Sequence, residues 1–217
     1  FSARRHRPTA LTLLLALVIA VALVRRTARR NEDYRSAAVV WGEVLALRPD
    51  NPRAHNNLAV ALAEAGDMTA ALQHAEEAVR LWPEWAPHHD NLGIVLALAG
   101  RYAEAVEKHE QALRLDPDDA RFHYHLAHVL LKLSRTNEAV EHYEQALRLN
   151  PDYVEARNDL AATLIGLGRA PAAVEHMQRV LKLRPDWAEA WQNLGLALAG
   201  CGRLDDAVAA DQHARRL

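Results

Sequence analysis

Imidazole, carboxamide and carboxylate side chains recur along this chain at spacings that bring them together on helices. His125 and His128 are three residues apart, so a helix sets both on one face. Together with Asp159 they form a donor set able to hold a divalent cation weakly. The same pair also serves as the polar lining of a binding surface, and on that reading no metal and no other cofactor is assigned. Asn57, Asn91 and Asn193 carry groups that donate and accept at once, as pairing with the amide and carbonyl of an extended peptide requires. The alternative is that these amides cap or solvate a helix face. Covalent chemistry finds no foothold. There is no glycine-rich phosphate loop and no nucleophile spaced with a histidine and an acid. The single cysteine, Cys201, allows neither an internal disulfide nor a cysteine-based zinc site. The chain is read as non-enzymatic.

What must position these groups is a repeat. Prolines stand 34 residues apart at Pro49, Pro83, Pro117, Pro151 and Pro185, and the apolar pattern between them recurs. With each proline at position 32, units begin at Pro52, Ala86, Ala120, Val154 and Ala188. Position 7 is then always leucine (Leu58, Leu92, Leu126, Leu160, Leu194), beside a small residue at position 8 (Ala59, Gly93, Ala127, Ala161, Gly195). Leucine returns at position 11 and alanine at position 20. Positions 7, 8 and 11 mark one face of a first helix, and 20, 24, 27 and 30 mark one face of a second. Position 15 is Gly66, Gly100, Gly168 and Gly202, with Ser134 the exception, which predicts a helix stop between the two stripes. Each proline ends the second helix, and the acid after it favours the positive end of the next first helix.

Eight recurring positions in five tandem copies resemble the tetratricopeptide repeat, whose pattern is W, L, G, Y, A, F, A, P. The resemblance covers Pro52 to Leu217. It implies an all-α solenoid of helix hairpins wound as a right-handed superhelix, with the first helices lining a concave groove. Positions 2, 5, 6, 9, 12 and 13 then face the groove. Position 6 reads Asn57, Asn91, His125, Asp159 and Asn193, flanked by Asn56, Asn158 and His128, and these are the candidate peptide-binding residues. The row resembles the asparagine row in the repeat domain of O-linked N-acetylglucosamine transferase. Position 4 is His55, His89, His123, Arg157 and Trp191, expected to face the core, and position 24 varies from Ala75 through His109, Tyr143 and Met177 to Asp211.

Charge and hydropathy divide the chain. Residues 1–30 hold seven arginines and no acid, whereas the rest carries 19 basic and 28 acidic residues, a net of −9 that argues against nucleic acid as a partner. Ala10 to Val24 is a run of 15 uncharged residues, 17 long when counted from Pro8, with arginines on both sides. At about 1.5 Å per residue the longer count spans about 25 Å, and snorkelling arginines cover the shortfall against a hydrocarbon core of about 30 Å. We read residues 8–24 as a single transmembrane helix preceding the solenoid; a signal peptide and a buried soluble helix are the competing readings. The expected order is a basic flank (1–7), the span (8–24), a juxtamembrane linker with half a repeat (25–51), and repeats at 52–85, 86–119, 120–153, 154–187 and 188–217, the last truncated. A chain beginning at Phe1 rather than Met is expected to be part of a longer one.

The expected function is a membrane-anchored scaffold that binds a protein or extended peptide in its groove. A second expectation comes from the stretch Arg29 to Leu58. It resembles the junction after the last span in the transmembrane, tetratricopeptide-containing O-mannosyltransferases, which implies the repeat region of a multi-pass membrane glycosyltransferase with its catalytic residues upstream. An assembly factor for an envelope complex shares the same scaffold chemistry.

Overall fold

The computed structural model describes residues 37–217, and among these there are eleven helices and no strand. The expected membrane span at 8–24 lies outside the described residues; among those described, no helix is long and apolar enough to cross a membrane. The chain forms two compact units, one ending at Leu81 and the other running from Trp82 to Leu217.

In the first unit, α1 covers residues 37–47, α2 Pro52–Ala65 and α3 Met68–Leu81. Helix α2 opens with Asn51, whose side chain accepts from the Arg53 and Ala54 amides, and with Pro52 in its first turn, where no helical amide is needed. Its apolar stripe packs on α3 through Leu58, Ala59, Ala71, Ala75 and Ala78.

The second unit holds four hairpins: α4 (Ala86–Leu98) with α5 (Tyr102–Leu115), α6 (Ala120–Lys132) with α7 (Thr136–Leu149), α8 (Val154–Gly166) with α9 (Ala170–Leu183), and α10 (Ala188–Gly200) with α11 (Leu204–Ala214). Each hairpin packs its second helix on the next first helix, α5 on α6, α7 on α8 and α9 on α10. First helices also touch their successors, α4 with α6 and α8 with α10, so the first helices form the inner layer of this unit. Leu92, Leu126, Leu160 and Leu194 are all buried, each beside the alanine or glycine that lets the paired helix approach.

The hairpin turns share one mechanism. Gly66, Gly100, Gly168 and Gly202 take left-handed φ values of 91°, 77°, 72° and 75°. The amide after each closes the helix end onto the position-11 leucine carbonyl, as Arg101 N–H does to Leu96 O at 2.9 Å. Ser134 adopts the same conformation at φ 60°, the only non-glycine among the described residues to do so. A Cβ there is disfavoured, so Ser134→Gly is expected to stabilise the protein by about 1 kcal/mol in a urea titration.

The prolines do more than end helices. Pro49, Pro83, Pro151 and Pro185 each occupy the second place of a tight turn, with the residue before accepting from the amide three further on, as Trp85 N–H does to Trp82 O at 3.3 Å and Trp187 N–H to Arg184 O at 3.3 Å. The proline carbonyl is then taken by the side chain at position 4. His55 Nε2 meets Pro49 O at 2.9 Å, His89 Nε2 meets Pro83 O at 2.7 Å, Trp191 Nε1 donates to Pro185 O at 2.8 Å, and Arg157 donates to Pro151 O. Position 4 was expected to be a core-packing site. His55 and His89 are indeed buried there, and the position is also a tether, whose occupants have in common a side-chain N–H. Two of these histidines also meet a second imidazole, His55 with His74 and His123 with His142, at 2.9 Å between Nδ1 atoms. Burial and the facing imidazole lower the pKa of His123, and burial lowers that of His142.

Candidate functional site

The inner layer of the second unit is indented by a pocket of about 500 Å³, walled by Ile94 and Leu98 from α4, Tyr102 from the start of α5, and Tyr124, His128 and Lys132 from α6. Leu98 is 60% exposed at its mouth. His128 also borders a neighbouring depression of about 480 Å³ that includes Tyr143, Asp159 and Leu167. An aromatic group lies beneath the two, with the Tyr124 ring edge-on to His128 at 4.6 Å and tilted against Tyr153 at 4.9 Å. The Tyr143 hydroxyl is buried there without a hydrogen-bond partner, and burial, followed by the Asp159 charge, raises its pKa well above the ordinary phenol value.

Around these pockets the position-6 residues are bonded to their neighbours. Asn193 Nδ2 donates to Asn158 Oδ1 at 3.2 Å, Tyr124 donates to Asp159 Oδ2 at 3.1 Å, and His125 Nδ1 lies 2.9 Å from Asp90 Oδ2. In each case position 5 of one hairpin reaches position 6 of the next, 35 residues on. The row expected to face a peptide is therefore one side of a ladder joining successive hairpins. Asn158 departs furthest from expectation. It is 1% exposed, with Nδ2 bonded to Asp159 Oδ1 at 3.1 Å, so it is a buried strut and not a groove reader. Asn57 and Asn56, in the first unit, are half-buried, and Asn56 Nδ2 lies 3.5 Å from Asn57 Oδ1. Asn91 is half-buried on α4.

The expected grouping of His125 and His128 around Asp159 is also rearranged. His128 Nε2 does pair with Asp159 Oδ2, at 2.8 Å. Burial would raise the Asp159 carboxyl, but hydrogen bonds from His128, Asn158 and Tyr124 outweigh it and hold the pKa below the usual carboxylate value. His125 turns the other way, to Asp90, which it shares with His109 from α5. His109 Nδ1 is 2.8 Å from Asp90 Oδ1, and both side chains are almost completely buried. Here too burial pushes the carboxyl up, and the two imidazoles reverse the sign, leaving the Asp90 pKa lowered. The His109 ring lies flat over Gly93: a Cβ at that glycine would stand 2.7 to 2.9 Å from three ring atoms.

Sequence reasoning passed over Asp90 and His109. Two signals were available. Position 5 carries an acid in only this unit, opposite a histidine 35 residues on, and His109 at position 24 coincides with glycine in place of alanine at position 8.

Comparison with known proteins agrees with this architecture. Residues 26–84 and 130–195 match models described as tetratricopeptide repeat, and residues 93–134 match one described as TPR repeat. No curated protein matches the chain. Among solved structures, YrrB, described as a TPR protein with an unusual peptide-binding site, is similar at 24% identity. The match covers 83% of this chain and 93% of that one, with a TM-score of 0.66. MamA from Desulfovibrio magneticus RS-1 is similar at 23% identity, covering 76% and 94%, with a TM-score of 0.69. A chain of the APC/C hetero-tetramer Cut9–Hcn1 is similar at 18% identity, covering 85% and 37%, with a TM-score of 0.71. None of these matches concerns a glycosyltransferase, and the resemblance of Arg29–Leu58 rests on the sequence alone. With the helix pairs, the left-handed turn residues and the matches along the chain in agreement, this is a tetratricopeptide-repeat protein.

Proposed function

We propose that the chain is a binding scaffold whose second unit captures a short protein segment in the pocket between α4, α5 and α6. The observation that carries this reading is the pocket's composition. Exposed Leu98 and partly exposed Ile94 offer an apolar seat, Tyr102 and Tyr124 add aromatic walls, and Lys132 stands exposed at the rim. That combination suits an apolar anchor residue followed by a carboxylate, from an acidic side chain or a chain terminus. YrrB, which shares the fold, has a peptide-binding site, and this supports the class of ligand without giving its sequence. Because the ladder already engages Asn193, His125 and Asp159, selectivity on this reading comes from the pocket rather than from an asparagine row. The uncharged run 8–24 supports tethering of the scaffold to a membrane, through a segment outside the described residues.

The test is selection of displayed peptides on the full chain, followed by fluorescence anisotropy. Leu98→Glu, at an exposed position, is expected to weaken the selected peptide at least tenfold at unchanged helicity. Asn193→Ala is expected to change affinity less than twofold. The reverse ranking would return the binding role to the position-6 row and overturn the pocket.

A further inference from the structure

Asp90, His109 and His125 come from three different helices, and one possible ligand atom from each of these side chains lies within 4.8 Å of the other two. Asp90 sits on α4, His109 nineteen residues on in α5, and His125 thirty-five residues on in α6. At the equivalent positions of the fourth repeat the rung is the Asn158–Asn193 amide pair, and Met177, fully buried beside Ala161, stands where His109 does, so the second imidazole is what sets this seam apart. Two imidazoles and one carboxylate are the donor set that borderline divalent metals take, and a face left open is the mark of a site that admits a further ligand.

We propose that Asp90, His109 and His125 form a binding site for a divalent transition metal such as Zn²⁺, set in the floor of the pocket. His109 supplies the rigid side. It is wholly buried, and with its ring lying against Gly93 its Nδ1 is aimed at the carboxylate. Asp90 is 4% exposed and supplies the charge. His125 supplies the door: its side chain is 27% exposed, and both histidines line the pocket, so a metal has a route inward and an open coordination position facing solvent. The spacing fits with a small adjustment. Ligands at about 2.0–2.2 Å from a tetrahedral zinc stand about 3.3 Å apart. The oxygen–nitrogen separations of 2.8 to 3.0 Å therefore have to open by a few tenths of an ångström, through a small rotation of the partly exposed His125 on one side and a turn of the Asp90 carboxylate away from His109 on the other.

Protons must also move. Without metal, each Nδ1 that donates to Asp90 carries a hydrogen; as a ligand, the same Nδ1 offers a lone pair and the ring's hydrogen sits on Nε2. His109 Nε2 is buried without a partner, whichever tautomer is present. With metal on Nδ1 that atom becomes a donor, so the bound state requires an acceptor such as a water entering from the pocket. A divalent ion brings two positive charges to the buried carboxylate.

The experiment is equilibrium dialysis of the full chain against buffered Zn²⁺, with Co²⁺ substitution read by its d–d absorption. The expected result is one tight equivalent per chain. His125→Gln and Asp90→Asn should each weaken it by at least about 100-fold, the upper end of what removal of an outer-shell contact costs at metal sites. His128→Gln and His123→Gln, outside the trio, should leave it unchanged. Because His125 is partly exposed, His125→Gln is expected to keep the helical content of the parent, which circular dichroism checks independently. Absence of a tight equivalent in the parent, or one that survives both trio variants, would overturn the site. Loss in His123→Gln, pointing to the His123–His142 pair instead, would overturn it equally.

Discussion

Phe122→Ala is expected to lower the unfolding free energy by about 3–5 kcal/mol, the range for truncating a buried phenylalanine. Phe122 is 1% exposed and packs from α6 against Ala86 of α4 and Ala112 of α5, with Leu113 covering the group. Its ring is the large member of a junction whose other faces are small. Truncation leaves a void bordered by Ala86 and Ala112, whose methyl groups are too short to fill it. In a stack where each hairpin is stabilised by its neighbours, the loss falls on an interface and also reduces cooperativity. Urea denaturation should show a lower midpoint together with a smaller m-value or a second transition. A change under about 1 kcal/mol with cooperativity intact would show that the neighbouring hairpins close over the gap.

Gly93→Ala should be nearly as damaging for the opposite reason. The added methyl would stand 2.7 to 2.9 Å from three atoms of the His109 ring, and that ring cannot retreat without breaking its bond to Asp90. Overpacking of this kind costs about 1–3 kcal/mol. The release of a buried charge from its partner adds to that figure. The decisive measurement is a double-mutant cycle with His109→Ala, which recreates the alanine pair found in the first unit at Ala59 and Ala75. Gly93→Ala should cost little once His109 is gone, giving a coupling energy above about 1 kcal/mol. Strict additivity would mean that glycine is there for some reason other than the ring.

These two residues show where sequence reading succeeds and where it stops. Leu126 and Ala127, like Gly100 and Gly168, announce their roles by type and period alone, since burial of a stripe and a left-handed turn are local consequences of helix geometry. The ladder was not legible in that way. Helical periodicity assigns Asn158 to a face, but whether the amide points to solvent or into the seam depends on Asn193, which the fold brings near from 35 residues away. The position-4 tether lay between these cases. His55, His89, Arg157 and Trp191 look like imperfect aromatics until the proline carbonyl six residues earlier is seen as an acceptor, and then the shared N–H explains the set.

The ladder has a consequence for how such a chain can be rearranged. The proline tether is self-contained, since donor and acceptor lie within one junction and travel together in any cut that respects it. Rungs are not portable in this sense. Asp90 needs His125, Tyr124 needs Asp159, and Asn158 needs Asn193, each rung a different chemical match between one hairpin and its successor. Exchanging two hairpins would set Asn158 opposite His125 or Asp90 opposite Asp159, leaving a buried charge facing the wrong group. Although built from one repeated motif, the hairpins of the second unit carry a serial order, written in pairs of side chains rather than in the backbone.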